Sequence, residues 1–99
     1  MSSGEAADGV TSAMLDCIHA EAQRQDAALN QAYKMVMARL KSDQQATLRS
    51  SERAWISTRD KDCNEAAEEE AGGTLAVVIH DGCLLDETIK RTMYLENYL

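Results

Sequence analysis

The stretch Glu52–Cys63, ERAWISTRDKDC, decides the fold of this chain. It contains the only tryptophan, Trp55, and Arg59 and Cys63 follow at intervals of four residues. Because side chains four positions apart lie on one side of an α-helix, these three residues share a face. The stretch therefore predicts a helix whose inner face holds a largely buried tryptophan with Arg59 stacked on it. A buried arginine needs a carboxylate or carbonyl partner. The candidate partners are Glu52, Asp26 and Asn30.

The residues around this stretch predict an all-α domain. Ninety-nine residues make one domain, and no proline or glycine interrupts the chain between Gly9 and Gly72. The absence of phenylalanine indicates an aliphatic core. We predict an antiparallel three-helix bundle in which the last helix can break near Gly82. The predicted parts are a flexible arm at 1–10, a single domain at 11–99, and helices at roughly 11–41, 43–71 and 74–98.

Each predicted helix shows apolar or small side chains at intervals of three and four residues, as expected for a face that packs on its neighbours. In the first helix these are Leu15, Ile18, Ala22, Leu29, Ala32, Val36 and Leu40. In the second they are Leu48, Trp55, Ile56, Cys63, Ala66 and Ala67, with Arg59 among them. In the third they are Leu75, Val78, Ile79, Leu85, Ile89, Met93 and Leu99. Ser42 and Asp43 are the predicted caps between the first two helices.

The charge of the chain restricts the class of partner. Seventeen acidic and ten basic residues give a net charge of −7, which argues against nucleic acid and against an anionic membrane surface. It permits a basic protein partner, although solubility alone also explains it. No apolar run approaches the ~20 residues of a membrane span, and no signal peptide opens the chain. We expect either a cytosolic protein or one whose targeting segment is absent here.

Four segments together resemble the LprI-type lysozyme-inhibitor domain family. AALNQAY at 27–33 is similar to its Leu-Asn-x-x-Tyr segment, and the stretch at 48–63 to its Gln-Arg-Ala-Trp-x-x-x-Arg-Asp-x-x-Cys segment, with Glu52 where Gln is usual. GGT at 72–74 resembles its Gly-Gly-Ser/Thr corner, and VTSAMLDC at 10–17 resembles its start, with Ala13 in place of Glu. Later matches are Cys83, Thr88 and Arg91. The resemblance covers Thr11 to about Leu95.

This resemblance implies an α-helical protein exported by bacteria, either free or as a lipoprotein. It implies lysozyme inhibition for one branch of the family, whereas most members have no established function. The family's shared positions are expected to be structural in this chain. They are Leu29, Asn30, Tyr33, Arg53, Trp55, Arg59 and Asp60.

The cysteines test the exported interpretation. Cys63 lies nine residues before Gly72 and Cys83 ten residues after Gly73, so the two come level if their helices pair around the glycines. We predict a disulfide between them, which would contribute roughly 3 kcal/mol by constraining the unfolded chain. In similar sequences Cys17 pairs with an upstream cysteine that this chain lacks. Cys17 is then either a free buried thiol or a competitor of Cys83 for Cys63.

The sequence predicts no metal site, no cofactor and no catalytic residue. Zinc could in principle use Cys63, His80 and Cys83 with His19 or Cys17, but the spacing matches no compact zinc pattern. Each histidine is expected to face solvent or to cap a helix. A nucleophile signature is also missing, and a small helical bundle offers little concavity for catalysis.

The acidic run EAAEEE at 65–70 is most simply a solvated face, but it also suggests a contact with a basic lysozyme. The predicted contact set is Glu68, Glu69, Glu70, Gly72, Gly73 and Thr74, with Leu75, Val78 or Leu84 as apolar anchors. The chain is thus expected to be an extracytoplasmic binding domain that occludes the cleft of a lysozyme-type hydrolase. The alternative is a structural or envelope-assembly domain without an enzyme target, able to form a homodimer through a leftover apolar stripe.

Overall fold

A computed structural model describes residues 3–69 and 73–98, with side chains from Ser12 onward. These ranges contain three helices, α1 (Ser3–Met37), α2 (Ser42–Glu68) and α3 (Gly73–Glu96), and no strand. The predicted all-α three-helix bundle is confirmed. Glu70, Gly72 and Leu99, which the sequence analysis named, lie outside the described residues.

The turn between α1 and α2 is closed by two glutamines. The side-chain oxygen of Gln44 accepts a hydrogen bond from the backbone N–H of Lys41 at 3.0 Å. The side-chain nitrogen of Gln45 donates to the carbonyl of Met37 at 2.8 Å. Lys41, rather than Ser42 or Asp43, therefore occupies the N-cap position of α2.

The outer ends of the helices also differ from expectation. Helix α1 begins at Ser3, so residues 3–10, expected to form a flexible arm, are helical. Helix α3 begins at Gly73, which has φ +80° and so uses the left-handed conformation that glycine tolerates best. The helix continues through Gly82, so the expected break is wrong. A single internal glycine costs only about 1 kcal/mol, which packing along α3 outweighs.

Helix α3 is the central element of the bundle. It packs against both α1 and α2, whereas α1 and α2 make few direct contacts with each other. Helix α2 is antiparallel to α3, because Cys63 meets Cys83 whereas the earlier Glu52 meets the later Arg91. Helix α1 is parallel to α3, because His19 meets Asp81 and the later Val36 lies in the core with Leu95. The resulting molecule is an elongated body with extents of 61 × 24 × 15 Å.

The core lies at the end of the bundle where α1 turns into α2. Its fully buried apolar residues are Leu29, Ala32, Val36, Leu48 and Leu95, and Tyr33, Met37, Leu40, Trp55 and Tyr98 pack against them. Two buried threonines of α3 adjoin this core. The Thr88 hydroxyl donates to the carbonyl of Leu84 at 2.8 Å, and that of Thr92 to the carbonyl of Thr88 at 3.0 Å. Because these hydroxyls bond to their own helix, threonine can be buried without another partner.

The predicted stripes are correct for α1 and partly wrong for α2 and α3. Ile56 of α2 is 43% exposed, and Leu75 and Met93 of α3 are 56% and 57% exposed. The buried face of α3 consists of Thr88, Thr92 and Leu95 instead. Apolar spacing on α3 fits more than one face, and only the positions of two neighbouring helices decide which face is covered.

Candidate functional site

A disulfide joins the last turns of α2 to α3. The structure links Cys63 to Cys83, the predicted pair, with their Cα atoms 5.5 Å apart. Cys63 is fully buried, and both cysteines are thereby removed from any zinc set. Cys17 is free and exposed, so the expectation of a buried thiol is wrong. The bridge fixes the position of α2 close to where that helix ends.

The acidic run beyond the bridge is solvent-exposed wherever the structure describes it. Glu65, Glu68 and Glu69 are exposed, and none of them forms an ion pair with a described cation. Across the corner, Gly73 and Thr74 are exposed as well. The described part of the predicted contact set therefore lies together where α2 ends and α3 begins. Its carboxylates have no partner among the described side chains and are available to an external one.

Apolar side chains lie beside this corner on the first turns of α3. Leu75 is 56% exposed and Val77 is 46% exposed, whereas Val78 and Leu84 are half-buried. Of the three anchors considered from sequence, Leu75 is thus the accessible one. Val77 was not considered, because the sequence pattern assigned no face to it.

The Trp55 region is a stack of arginines and aromatic rings. The guanidinium carbon of Arg59 lies 5.0 Å from the Trp55 ring centroid, and that of Arg91 lies 5.7 Å from it. Arg91 also lies 4.4 Å from the centroid of Tyr94. The stacking of Arg59 on Trp55 agrees with the sequence analysis. Trp55 itself is partly buried and packs against the core from its margin.

The ion pairs of this stack differ from those expected. Glu52 accepts a hydrogen bond from Arg91, not from Arg59, and Arg91 also donates to the Ser51 hydroxyl at 2.9 Å. The side chains of Arg91 and Glu52 are only 10% and 14% exposed. Arg59 pairs with its neighbour Asp60 at 2.9 Å. Arg91 could not be predicted as the partner of Glu52, because the sequence does not specify which residues of α3 lie level with which residues of α2.

The remaining family positions divide into buried and exposed residues. Leu29 is buried and Tyr33 packs on the core. Asn30 and Arg53 are exposed, as is Asp26. Neither Asn30 nor Asp26 therefore supplies the partner for Arg59. Within the described side chains, Leu29, Tyr33 and Trp55 pack in or against the core, whereas Asn30 and Arg53 are accessible to a partner.

A histidine–aspartate cluster joins α1 to α3. His19 Nε2 lies 2.7 Å from one carboxylate oxygen of Asp81, and His80 Nδ1 lies 2.9 Å from the other. Desolvation alone would raise the pKa of Asp81, but the hydrogen bonds from His19 and His80 lower that pKa below its usual value. Sequence analysis had assigned the histidines to solvent or caps. His19 and Asp81 are 62 positions apart in the chain, so no local sequence pattern predicts their contact.

The charged side chains divide the molecule into two halves. The cross-ties place residues 26, 59 and 86 at about the same level of the bundle. The charged residues at that level, Asp26, Arg59 and Asp86, are counted in neither half. On the side of the α2–α3 corner, the described side chains include eight acids and only Arg24 and Lys61 as bases, a net charge of −6. On the other side, seven bases and four acids give +3. The overall charge of −7 thus conceals an acidic half and a basic half.

Fold and surface together define a small helical domain, braced by a disulfide, with an exposed acidic corner. The chain matches the family described as "Lysozyme inhibitor LprI" over residues 2–95, and it belongs to that family.

Other comparisons add a relative without a known role. An uncharacterized protein of Rhizobium meliloti (strain 1021) is 29% identical over 96 residues, covering 84% of this chain and 69% of the relative. No solved structure matches the chain. In the described ranges, no helix is long and apolar enough to cross a membrane.

Proposed function

We propose that this domain binds a basic lysozyme-type hydrolase outside the cytoplasm and occludes its cleft. The observation that supports this most directly is the acidic corner, where exposed carboxylates without internal partners adjoin an exposed glycine turn. The family to which the chain belongs is described as an inhibitor of lysozyme. A disulfide is typical of oxidising compartments, which supports the extracytoplasmic location.

Electrostatic attraction would govern the approach of the two proteins. The acidic half has a net charge of −6 over its described side chains, and a basic partner would be steered toward it rather than toward the basic half. Glu68 and Glu69 can pair with cations at the rim of a cleft, and we assign Glu70 to the same contact. Such rim pairs raise the association rate more than the affinity.

Apolar contacts would supply the affinity that rim charges do not. Leu75 and Val77 expose apolar surface within the first turns after Gly73. The absence of a side chain at Gly73, and at Gly72 in the proposed contact set, would let the backbone approach the sugar subsites closely. We assign Thr74 to the same contact surface. The domain would thus block the cleft by insertion of this corner, without chemical modification of the enzyme.

The disulfide would hold the helix ends that flank the corner in place. Cys63 lies five residues before Glu68, and its bond to Cys83 holds the end of α2 against α3. A contact surface that is already ordered loses less conformational entropy on binding. We therefore expect reduction of the disulfide to weaken inhibition even where the helices persist.

Turnover of cell-wall substrate by a panel of lysozymes tests the proposal. The Glu68/Glu69/Glu70→Gln variant should inhibit at least about tenfold less well, because three rim pairs are lost. The matched control is the triple variant Asp26→Asn/Asp43→Asn/Glu96→Gln, which changes the net charge by the same amount. Its three residues are exposed, form no ion pair with a described side chain, and lie away from the corner. Equal inhibition by the two variants would show that the enzyme binds a surface other than the acidic corner. No inhibition by the oxidised wild type would refute the proposed function.

A further inference from the structure

A second stripe on α1 lies beside the face that packs in the core, rotated from it by about 100°. Its members recur at intervals of three and four residues along 22 residues of the helix. They are Met14, Cys17, Glu21, Arg24, Ala28, Gln31 and Met35. The terminal members are accessible, since Met14 is 46% exposed and Met35 is 53% exposed. Apolar or small residues at this period are typical of a surface that packs against another helix. Here they are Met14, Cys17, Ala28 and Met35, and they flank the charged pair Glu21 and Arg24.

Two surface hollows lie along this stripe. One has a volume of about 320 Å³ and is formed by Ala28, Ala32 and Met35 of α1 with Leu95 and Glu96 of α3. The other, shallower hollow is lined by Ala13, Met14, Cys17 and Ile18. The hollows thus lie at opposite ends of one helical surface, each with a methionine at its edge.

The stripe is nearly symmetric about its midpoint, close to Arg24. Met14 and Met35 are almost equally distant from that point, as are Cys17 and Gln31. A two-fold axis at the midpoint would bring Met35 of each copy to the Met14 hollow of the other. It would bring Met14 of each copy to the deeper hollow in the same way. Each contact would then occur twice, as it does in any interface with two-fold symmetry.

The charges of α1 determine which orientation two copies can adopt. In the described first half of the helix, Asp16, Glu21 and Asp26 outnumber Arg24. Residues 27–41 contain Lys34, Arg39 and Lys41 and no acid. A parallel pair of copies would place like charges together, whereas an antiparallel pair places unlike charges together over the whole length.

We propose that two copies of this chain associate antiparallel through the α1 stripe. The division of the described side chains into halves of −6 and +3 favours the same orientation. Glu21 already binds Arg24 in the same helix, at 2.6 Å, and beside the axis either residue can pair with its counterpart in the second copy. The partner surface that complements the stripe is therefore present on the chain itself.

Disulfide cross-linking distinguishes this arrangement from other dimers. In the antiparallel arrangement, Cys17 of one copy faces Gln31 of the other, so the Gln31→Cys variant should form a covalent dimer under mild oxidation. The two native Cys17 thiols would be about 22 Å apart along the helix, so wild-type protein should not cross-link. Thr58→Cys, at an exposed position of α2, is the matched control and should remain monomeric on denaturing gels.

Sedimentation equilibrium supplies the second measurement. Lys34→Glu and Asp16→Lys should each weaken the dimer about tenfold, because a like-charge contact appears twice in the interface. The double variant should recover the wild-type affinity, since it only exchanges the two charges. A monomeric wild type at every concentration up to millimolar would overturn the proposal. So would Cys17–Cys17 cross-linking in the wild type, which would indicate a parallel pair.

Discussion

Replacement of both Cys63 and Cys83 by alanine should lower the free energy of unfolding by about 3 kcal/mol. The bridge spans a sequence separation of 20 residues, and the chain-entropy relation gives about 3 kcal/mol for a loop of that length. A domain of this size has a total of roughly 5–15 kcal/mol. The loss is therefore a large share of the total, and the thermal midpoint should fall by more than about 10 °C.

Urea unfolding followed by far-ultraviolet circular dichroism measures this loss. The matched control is Cys17→Ala, because Cys17 is free and exposed and its replacement should change stability by less than about 0.5 kcal/mol. Intact mass with and without reduction, followed by peptide mapping, establishes the pairing in the wild type. Equal stability of the double variant and the oxidised wild type would refute the argument from loop closure. A Cys17–Cys63 bridge would refute the pairing itself.

Three further predictions concern the core and the cross-ties. Leu48→Ala should lower the free energy of unfolding by about 3–5 kcal/mol, because Leu48 is fully buried, whereas the exposed Ile56→Ala should lower it by less than about 1.5 kcal/mol. Equal losses for the two variants in the same chemical melt would contradict the assigned face of α2. Glu52→Gln should lower the free energy of unfolding by up to about 3 kcal/mol, because it leaves Arg91 without its carboxylate partner. In a double-mutant cycle, the combined variant Glu52→Met/Arg91→Met should recover part of that lost stability. Because the pKa of Asp81 is lowered in the folded state, the Asp81 carboxylate stabilises the fold fully above its unfolded pKa of about 3.9, and this stabilisation is lost as the pH falls through the folded pKa. Asp81→Asn should thus destabilise by less than about 1 kcal/mol at pH 7 and by progressively less below pH 4, and a pH-independent difference would exclude this linkage.

Residues close together in sequence allowed the helices and the turn to be predicted. The long stretch without proline or glycine between Gly9 and Gly72 indicated helix, and the glycines at 72 and 73 indicated the corner. The spacing of Trp55 and Arg59 correctly predicted their stacking. These features depend on the chain within a few turns, where backbone geometry fixes which side chains meet.

Contacts between helices depended on the tertiary structure. The spacing on α3 allowed Leu75 and Met93 to be assigned to the core, but the packed face is that of Thr88, Thr92 and Leu95. For the same reason, Glu52 pairs with Arg91 of α3 and not with Arg59 of its own helix, which was the partner expected from sequence. The rotation of one helix against another is set by packing at both neighbours at once, and no local pattern specifies it.

The distribution of charge shows the same division. Composition determined the net charge of −7 and the presence of an acidic run. The separation into an acidic and a basic half of the molecule exists only after α2 folds back along α3. That reversal places Asp81 at the acidic end of α2, and it places Lys90 and Arg91 at the end that contains Arg49 and Arg53. Sequence alone determined the kinds of side chain available to a partner. Tertiary structure decided which of them share a surface, because chain reversal brings distant residues to the same level and separates others along the length of the bundle.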